Sequence, residues 1–126
     1  MSSKYIKLTF WAATGLFTSV MALSAVLYLT SPDAQQSFVH LGFPSYFRIE
    51  LALFKFAGVV VLLAPFPALL KEWAYAGFFI TLISAFTAHV SRGDGPDKFM
   101  APVIFAGILA ASYWARRKLN ARNINN

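Results

Sequence analysis

Residues 49–91 read IELALFKFAGVVVLLAPFPALLKEWAYAGFFITLISAFTAHVS, two long apolar runs separated by little more than the pair Lys71-Glu72. Each run is long enough to cross a hydrocarbon core of about 30 Å as a helix that rises about 1.5 Å per residue. Because the link is so short, the runs are predicted to form a tight antiparallel hairpin. Pro65 and Pro67 precede the link and are expected to kink or loosen the end of the first helix.

Two further apolar runs flank this hairpin, so the sequence predicts four transmembrane helices. The predicted spans cover about residues 5–30, 49–70, 73–91 and 99–115. Helices are expected because lipid offers no hydrogen-bond partner to an exposed backbone, and the alternation of a barrel strand is absent. The predicted fold class is therefore all-α, a single domain over residues 1–126 that forms a four-helix transmembrane bundle.

The third span carries small residues at alternating spacings of three and four, which favour close approach of helices in lipid. These residues are Ala74, Gly77, Thr81, Ser84, Ala88 and Ser91. The spacing predicts a left-handed bundle in which neighbouring helices cross at about 20°.

The composition agrees with a membrane protein and argues against several other classes. Hydrophobic residues make up 58% of the chain and charged residues 13%, whereas about a quarter of a typical soluble domain is charged. With no Cys and two His, the chain has no recognisable haem, iron–sulfur or zinc pattern, so no metal site is predicted. No phosphate-binding loop or Ser-His-Asp set is visible, and no catalytic residue is assigned.

The basic residues indicate how the chain crosses the membrane. The formal net charge is +6, and most Lys and Arg lie at the ends of apolar runs. This placement suits anionic lipid headgroups rather than nucleic acid. With the N-terminus inside, seven basic residues fall in inner segments and three in outer segments. The excess predicts that both termini lie in the cytoplasm, and Trp11, Trp73 and Trp114 near the inner ends agree.

The link over residues 31–48 is predicted to contain a short amphipathic helix on the outer membrane surface. Ser31 is a suitable N-cap, Pro32 suits the first helical position and Gly42 can close the helix. His40 falls on the polar face and is expected to be solvated. The other outer link, residues 92–98, is predicted to be a plain solvated turn.

Ionisable groups within spans are costly in lipid and are the first place to look for function. Glu50 and Lys55 lie in the outer half of span two, and His89 lies near the outer end of span three. Because these helices run in opposite directions, the three residues belong to the same leaflet. Arg48 lies two turns from Lys55 on nearly the same face. The sequence therefore predicts an outer ligand pocket between spans two and three, with Glu50, Lys55, His89 and Arg48 as candidates.

Simpler interpretations of the same residues stay open. Lys55 can extend its ammonium group towards the membrane surface or form a structural ion pair. Glu50 can be an interfacial carboxylate, and His89 a polar group at a helix end. At the inner hairpin, four residues are candidates for anchoring at the membrane interface or for contact with a partner. They are Lys71, Glu72, Trp73 and Tyr75.

Several short motifs go beyond composition. They are HLGFPSY at residues 40–46, Glu50 and Lys55 with Gly58, LKEWAYAGF at residues 70–78, and Ala88-His89 with Gly93-Asp94. Together they resemble the DoxX-like family of small bacterial integral membrane proteins over most of the chain. The resemblance implies a four-helix transmembrane bundle in the bacterial inner membrane. The positions that match the family's polar signature are His40, Glu50, Lys55, Lys71, Glu72, His89 and Asp94.

The resemblance leaves the activity open, including whether the protein is an enzyme. The family takes its name from a subunit of a thiosulfate:quinone oxidoreductase, which favours an accessory subunit that binds a quinone or another lipophilic molecule in the outer pocket. The alternative is a non-enzymatic assembly factor or scaffold for other membrane proteins. A small transporter ranks last because span one has no ionisable residue between Lys7 and Thr30. Expected partners are the lipid bilayer and other membrane proteins or a redox complex, and an oligomer is compatible with the sequence.

Overall fold

A computed structural model describes the backbone of residues 2–125 and the side chains of residues 2–122. All regular structure in this part of the chain is helical, which confirms the predicted all-α class. The five described helices are α1 (Ser3–Thr30), α2 (Pro32–Leu41), α3 (Ser45–Leu63), α4 (Ala68–Ser91) and α5 (Pro96–Asn125).

The four long helices form a closed ring. α1 packs against α3 and α5, and α4 packs against the same two helices on the other side. Consecutive long helices run in opposite directions, and Phe17, Phe78 and Leu109 are buried between them. α2 packs across α1 and α3 at one end of the ring, which we call the α2 end. The opposite end, with the chain termini and the α3–α4 link, is the terminal end.

The short helix α2 begins and ends where its sequence requires. The Ser31 Oγ accepts a hydrogen bond from the Ala34 amide at 3.4 Å, and Pro32 occupies the first turn. Gly42 has a φ of 85°, a left-handed conformation that glycine adopts without steric cost. The guanidinium of Arg92 lies where a Cβ on Gly42 would project. Both the backbone angle and the space therefore favour glycine at the end of α2.

Among the described residues, three helices are long and apolar enough to cross a membrane: Ser3–Thr30, Ala68–Ser91 and Pro96–Arg122. α3 differs because its 19 residues include Arg48, Glu50 and Lys55. Three of the four predicted spans are thus supported by a helix of suitable length and hydropathy. The count of four is not confirmed.

The helix bounds correct the predicted hairpin. The run over residues 49–70 is not one helix, since α3 ends at Leu63 and α4 begins at Ala68. The link is the segment 64–67, where Pro65 and Pro67 interrupt the helix, and the pair Lys71-Glu72 lies inside α4. α5 also continues beyond the predicted span 99–115. The apolar run ends near Ala115, but the polar residues that follow still favour a helix.

Lys71 reaches back from α4 to the end of α3. Its Nζ donates hydrogen bonds to the carbonyl oxygens of Val61 at 2.8 Å, Leu62 at 3.2 Å and Ala64 at 2.7 Å. The Val61 carbonyl would otherwise face Pro65, which has no amide hydrogen to donate. The Lys71 ammonium group therefore caps the C-terminal end of α3.

Two phenylalanine rings face two glycines across the α3–α4 interface. A Cβ on Gly58 of α3 would lie 2.5 Å from the ring of Phe78, and a Cβ on Gly77 of α4 would lie 2.5 Å from the ring of Phe54. The two rings also contact each other edge to face, with centroids 5.9 Å apart. The missing side chains at the glycines therefore make room for the rings that join the helices.

Candidate functional site

A cavity of about 810 Å³ lies inside the ring of long helices at the α2 end. All five helices contribute to its wall, and Phe38 and Leu41 of α2 cover it. The cavity reaches down to the level of Gly77 and Phe78. Sites for small molecules and cofactors usually enclose about 300–1,000 Å³ and have mostly apolar walls. We call this space the α2 cavity.

Lys55 is the buried cation of the α2 cavity. The residue lines the cavity and is only 4% exposed. Its Nζ donates hydrogen bonds to the Ser24 Oγ and to the Tyr28 hydroxyl, each at 2.8 Å. It also lies 4.0 Å from the centroid of the Tyr28 ring, close enough for a cation–π contact. Within the described residues, no carboxylate lies within 4.0 Å of this ammonium.

These contacts decide between the simpler interpretations of Lys55. The side chain does not extend out of the helix bundle, because the residue is buried and its ammonium points to α1. It forms no ion pair with another described residue. The α2 cavity therefore contains a buried ammonium group whose contacts among the described residues are two hydroxyl oxygens and the Tyr28 ring, all neutral.

His89 lies on the same cavity and is held by Asp94, a position that matched the family's polar signature but was not among the predicted pocket residues. Its Nδ1 lies 2.7 Å from Oδ2 of Asp94. The second carboxylate oxygen, Oδ1, lies 2.8 Å from Nε2 of His40 in α2. Because an ionised carboxylate only accepts hydrogen bonds, both imidazoles donate to Asp94. We call His40, His89 and Asp94 the histidine clamp.

Local backbone geometry places Asp94 in the histidine clamp. Gly93 has a φ of 76°, and the Asp94 amide donates to the His89 carbonyl oxygen at 3.0 Å, so the chain turns back over the end of α4. The carboxylate is only 12% exposed. Its pKa is lowered from the usual value, first by the hydrogen bond from His89 and then by that from His40.

The histidine clamp corrects two expectations for the outer links. Residues 92–98 form more than a plain solvated turn, since Asp94 joins the end of α4 to α2. His40 is exposed to solvent on α2 but is also bound to Asp94. The short spacing from His89 to Gly93-Asp94 could have indicated the contact between His89 and Asp94. Nothing in the sequence links His40 to a residue 54 positions later.

Glu50 and Arg48 occupy different positions around the α2 cavity. Glu50 lines the cavity and is exposed to solvent. The guanidinium of Arg48 donates to the backbone carbonyl oxygen of Tyr28 near the end of α1, and Arg48 does not line the cavity. Three of the four predicted pocket residues, Glu50, Lys55 and His89, thus face one cavity. Lys98 at the start of α5 also lines it and was not predicted.

Of the four candidate residues at the hairpin, three form hydrogen bonds within the helix ring and one projects away from it. Lys71 caps α3, as described above. Glu72 accepts hydrogen bonds from Arg116 Nη1 at 3.0 Å and from the Tyr113 hydroxyl at 2.9 Å. The buried Tyr75 hydroxyl lies 2.7 Å from Ser112 Oγ. Trp73 is 62% exposed, so it is the member of the set that projects away from the helix ring.

A buried chain of hydroxyl groups joins three helices in the terminal half of the ring. Ser112 Oγ of α5 lies 2.6 Å from Thr14 Oγ1 of α1 and also contacts Tyr75 of α4. Thr14 and Ser112 are almost fully buried. Each group satisfies another, so these contacts hold α1, α4 and α5 together at the terminal half of the ring.

A family model described as the DoxX-like family matches residues 8–112, which is most of the chain. The matched region contains the whole α2 cavity and the histidine clamp. No curated protein matches the chain, and no solved structure does so.

Proposed function

Because this chain belongs to the DoxX-like family, we propose that it is a small membrane protein that binds a lipophilic molecule in the α2 cavity. The observation that carries the proposal is the buried Lys55 ammonium inside a large, mostly apolar cavity. Apolar walls suit a hydrocarbon or aromatic ligand, and a few polar groups fix its orientation. In this proposal the protein is an accessory subunit of a membrane redox complex and has no catalytic residues of its own.

The proposal includes a four-span topology in which α3 also crosses the bilayer. α3 lies between α1 and α4 in the helix ring. Two of its charged groups do not need to face lipid, since Lys55 is buried and Arg48 bonds to α1. Charged residues inside a membrane are tolerated where they face the bundle interior and find partners.

The basic residues support one direction of crossing. Those at the terminal end are Lys4, Lys7, Lys71, Arg116, Arg117, Lys118 and Arg122. This excess supports termini in the cytoplasm and the α2 end on the outer side of the bacterial inner membrane.

A quinone is one ligand that suits the polar groups of the cavity. The Lys55 ammonium can donate to a quinone carbonyl oxygen. His89 donates through Nδ1 to Asp94, which fixes its tautomer and leaves Nε2 able to accept from a quinol hydroxyl. The rest of the wall, including Phe54, Phe78 and Phe105, can contact an isoprenoid tail.

Analysis of co-purified molecules tests this function. The protein is purified in mild detergent, and quinones and lipids are extracted and quantified by mass spectrometry. We expect a lipophilic molecule in stoichiometric amount from the unmodified chain and its loss from Lys55→Ala and His89→Ala. Lys118→Ala, which removes an exposed charge at the terminal end, is the matched control and should retain the ligand. If the folded protein neither retains nor takes up any quinone or lipid, the proposed function is wrong.

A further inference from the structure

We infer that the molecule bound in the α2 cavity carries an anionic head group, a carboxylate or a phosphate, that pairs with Lys55. This inference rests on the proposed function and narrows its ligand to an anionic amphiphile. The ligand would supply the negative charge that the described residues do not place beside the buried ammonium.

More basic than acidic side chains face the cavity. Lys55 and Lys98 bring two ammonium groups, His89 brings an imidazole, and Glu50 brings the single carboxylate among the described lining residues. Lys98 and Glu50 are exposed and can exchange with water or ions. Lys55 alone is buried, so its charge is the one that the surroundings must compensate.

The hydrogen-bond partners of Lys55 are neutral, so they do not balance the charge of its ammonium group. Ser24 and Tyr28 supply neutral hydroxyl oxygens for two of its three N–H groups. Neutral partners replace only part of the hydration that an ammonium loses on burial, and buried charges in proteins are usually paired. The third N–H group has no hydrogen-bond acceptor among the described residues. The Tyr28 ring, 4.0 Å from Nζ, is a neutral contact as well, and the side chain lines the cavity.

The carboxylates at the α2 end do not fill this role. Glu50 forms no ion pair with Lys55 within 4.0 Å and is exposed to solvent. Asp94 is committed to His40 and His89 in the histidine clamp and does not line the cavity. An anionic ligand therefore gains a charge-assisted hydrogen bond that no described side chain already provides.

The remainder of the wall fits an apolar tail. Large apolar side chains that line it include Met21, Leu27, Phe38, Phe54, Phe78 and Phe105. A single ligand with one charged end and one hydrocarbon chain matches this division, because the polar groups are few and the apolar wall is extensive.

Three probes of equal chain length test the head group: hexadecanoate, hexadecyl phosphate and hexadecanol. Equilibrium binding of each radiolabelled probe is measured on the purified full-length chain in detergent micelles at pH 8.5. We expect at least one anion to bind about tenfold more tightly than hexadecanol, which is the contribution of a hydrogen bond to a charged group. Whichever anion is preferred identifies the head group as carboxylate or phosphate.

Substitutions at Lys55 show whether this residue is responsible. Lys55→Met and Lys55→Gln should abolish the preference for the anion and leave the affinity for hexadecanol unchanged. Lys55→Arg should retain the preference. Lys118→Met removes the same charge at the terminal end and should behave like the unmodified chain, which separates local pairing from net charge. Size-exclusion chromatography and circular dichroism identify variants that fold.

Equal affinity for the three probes would overturn the anionic head group and leave the cavity as a lipophilic site. An anion preference that survives in both Lys55→Met and Lys55→Gln would overturn it as well. If none of the probes binds, the inference is wrong, and a co-purified quinone would still support the proposed function.

Discussion

The imidazole Nδ1 of His89 lies 2.7 Å from Oδ2 of Asp94, and this contact connects the wall of the α2 cavity to the helix that covers it. The other oxygen of the same carboxylate holds His40 of α2 at 2.8 Å. α2 is thus tied to α1 through the backbone at Ser31 and to the end of α4 through Asp94. The same carboxylate therefore contacts α2 and a residue of the cavity wall.

Replacing Asp94 should loosen α2. In Asp94→Asn the side chain keeps its shape but loses the charge that both imidazoles contact, so we expect faster hydrogen exchange of the backbone amides of residues 35–41. The helices of the ring should exchange as before. Asp97→Asn removes a neighbouring charge outside the histidine clamp and is the matched control. Equal exchange of α2 in Asp94→Asn and the unmodified chain would show that the clamp does not hold the helix.

The histidine clamp also predicts a pH dependence. Because hydrogen bonds from His89 and His40 lower the pKa of Asp94 in the folded state, its stabilising effect is fully present above the unfolded value of 3.8. The effect is lost as the pH falls through the lower, folded pKa. Protection of α2 should therefore differ between the unmodified chain and Asp94→Asn at neutral pH, and the difference should shrink below about pH 4. A difference that stays constant down to pH 2 would contradict this assignment.

Two glycine substitutions should have unequal effects on stability. Gly58→Ala places a Cβ against the ring of Phe78, which is fully buried and packs edge to face against Phe17 and Phe54. Overpacking of this kind costs about 1–3 kcal/mol, more than the gain in helix propensity of at most about 1 kcal/mol. Gly77→Ala meets the ring of Phe54, which is 40% exposed and can shift. Thermal unfolding followed by size-exclusion chromatography should show a clear loss for Gly58→Ala and little change for Gly77→Ala.

Removing the Lys71 cap should destabilise the α3–α4 link. In Lys71→Met the carbonyl groups of Val61, Leu62 and Ala64 lose their donor, and hydrogen bonds to charged groups each contribute about 1.5–3 kcal/mol. We expect the free energy of unfolding to fall by about 2 kcal/mol or more. Lys7→Met removes a basic residue from the same end and should have a small effect. Equal losses in the two variants would assign the effect to net charge rather than to capping.

Much of the helix pattern could be predicted from local sequence. Ser31, Pro32 and Gly42 act within one or two turns, so the helix over residues 32–41 follows from capping rules. Lys55 and His89 line one cavity, as the opposite directions of the two helices predicted. The end of α3 was harder to predict, because hydropathy continues through Pro65 and Pro67 while backbone hydrogen bonding does not.

Contacts over long sequence separations could not be predicted. The sequence shows that His40, His89 and Asp94 are polar, but only packing of α2 against the ring brings His40 to Asp94. The neutral surroundings of Lys55 depend in the same way on Ser24 and Tyr28 of α1, which have no local relation to it. The position of Lys98 at the cavity depends on where α5 begins.

The stripe of small residues on α4 has a second role besides the expected close helix contact. Gly77 admits the ring of Phe54 from α3, but Thr81 and Ser84 line the α2 cavity, where their small size maintains a volume. A leucine at position 81 would obstruct that volume and leave every charged group in place. Size and charge can therefore be altered one at a time, which permits shape selection and electrostatic selection by this protein to be measured separately.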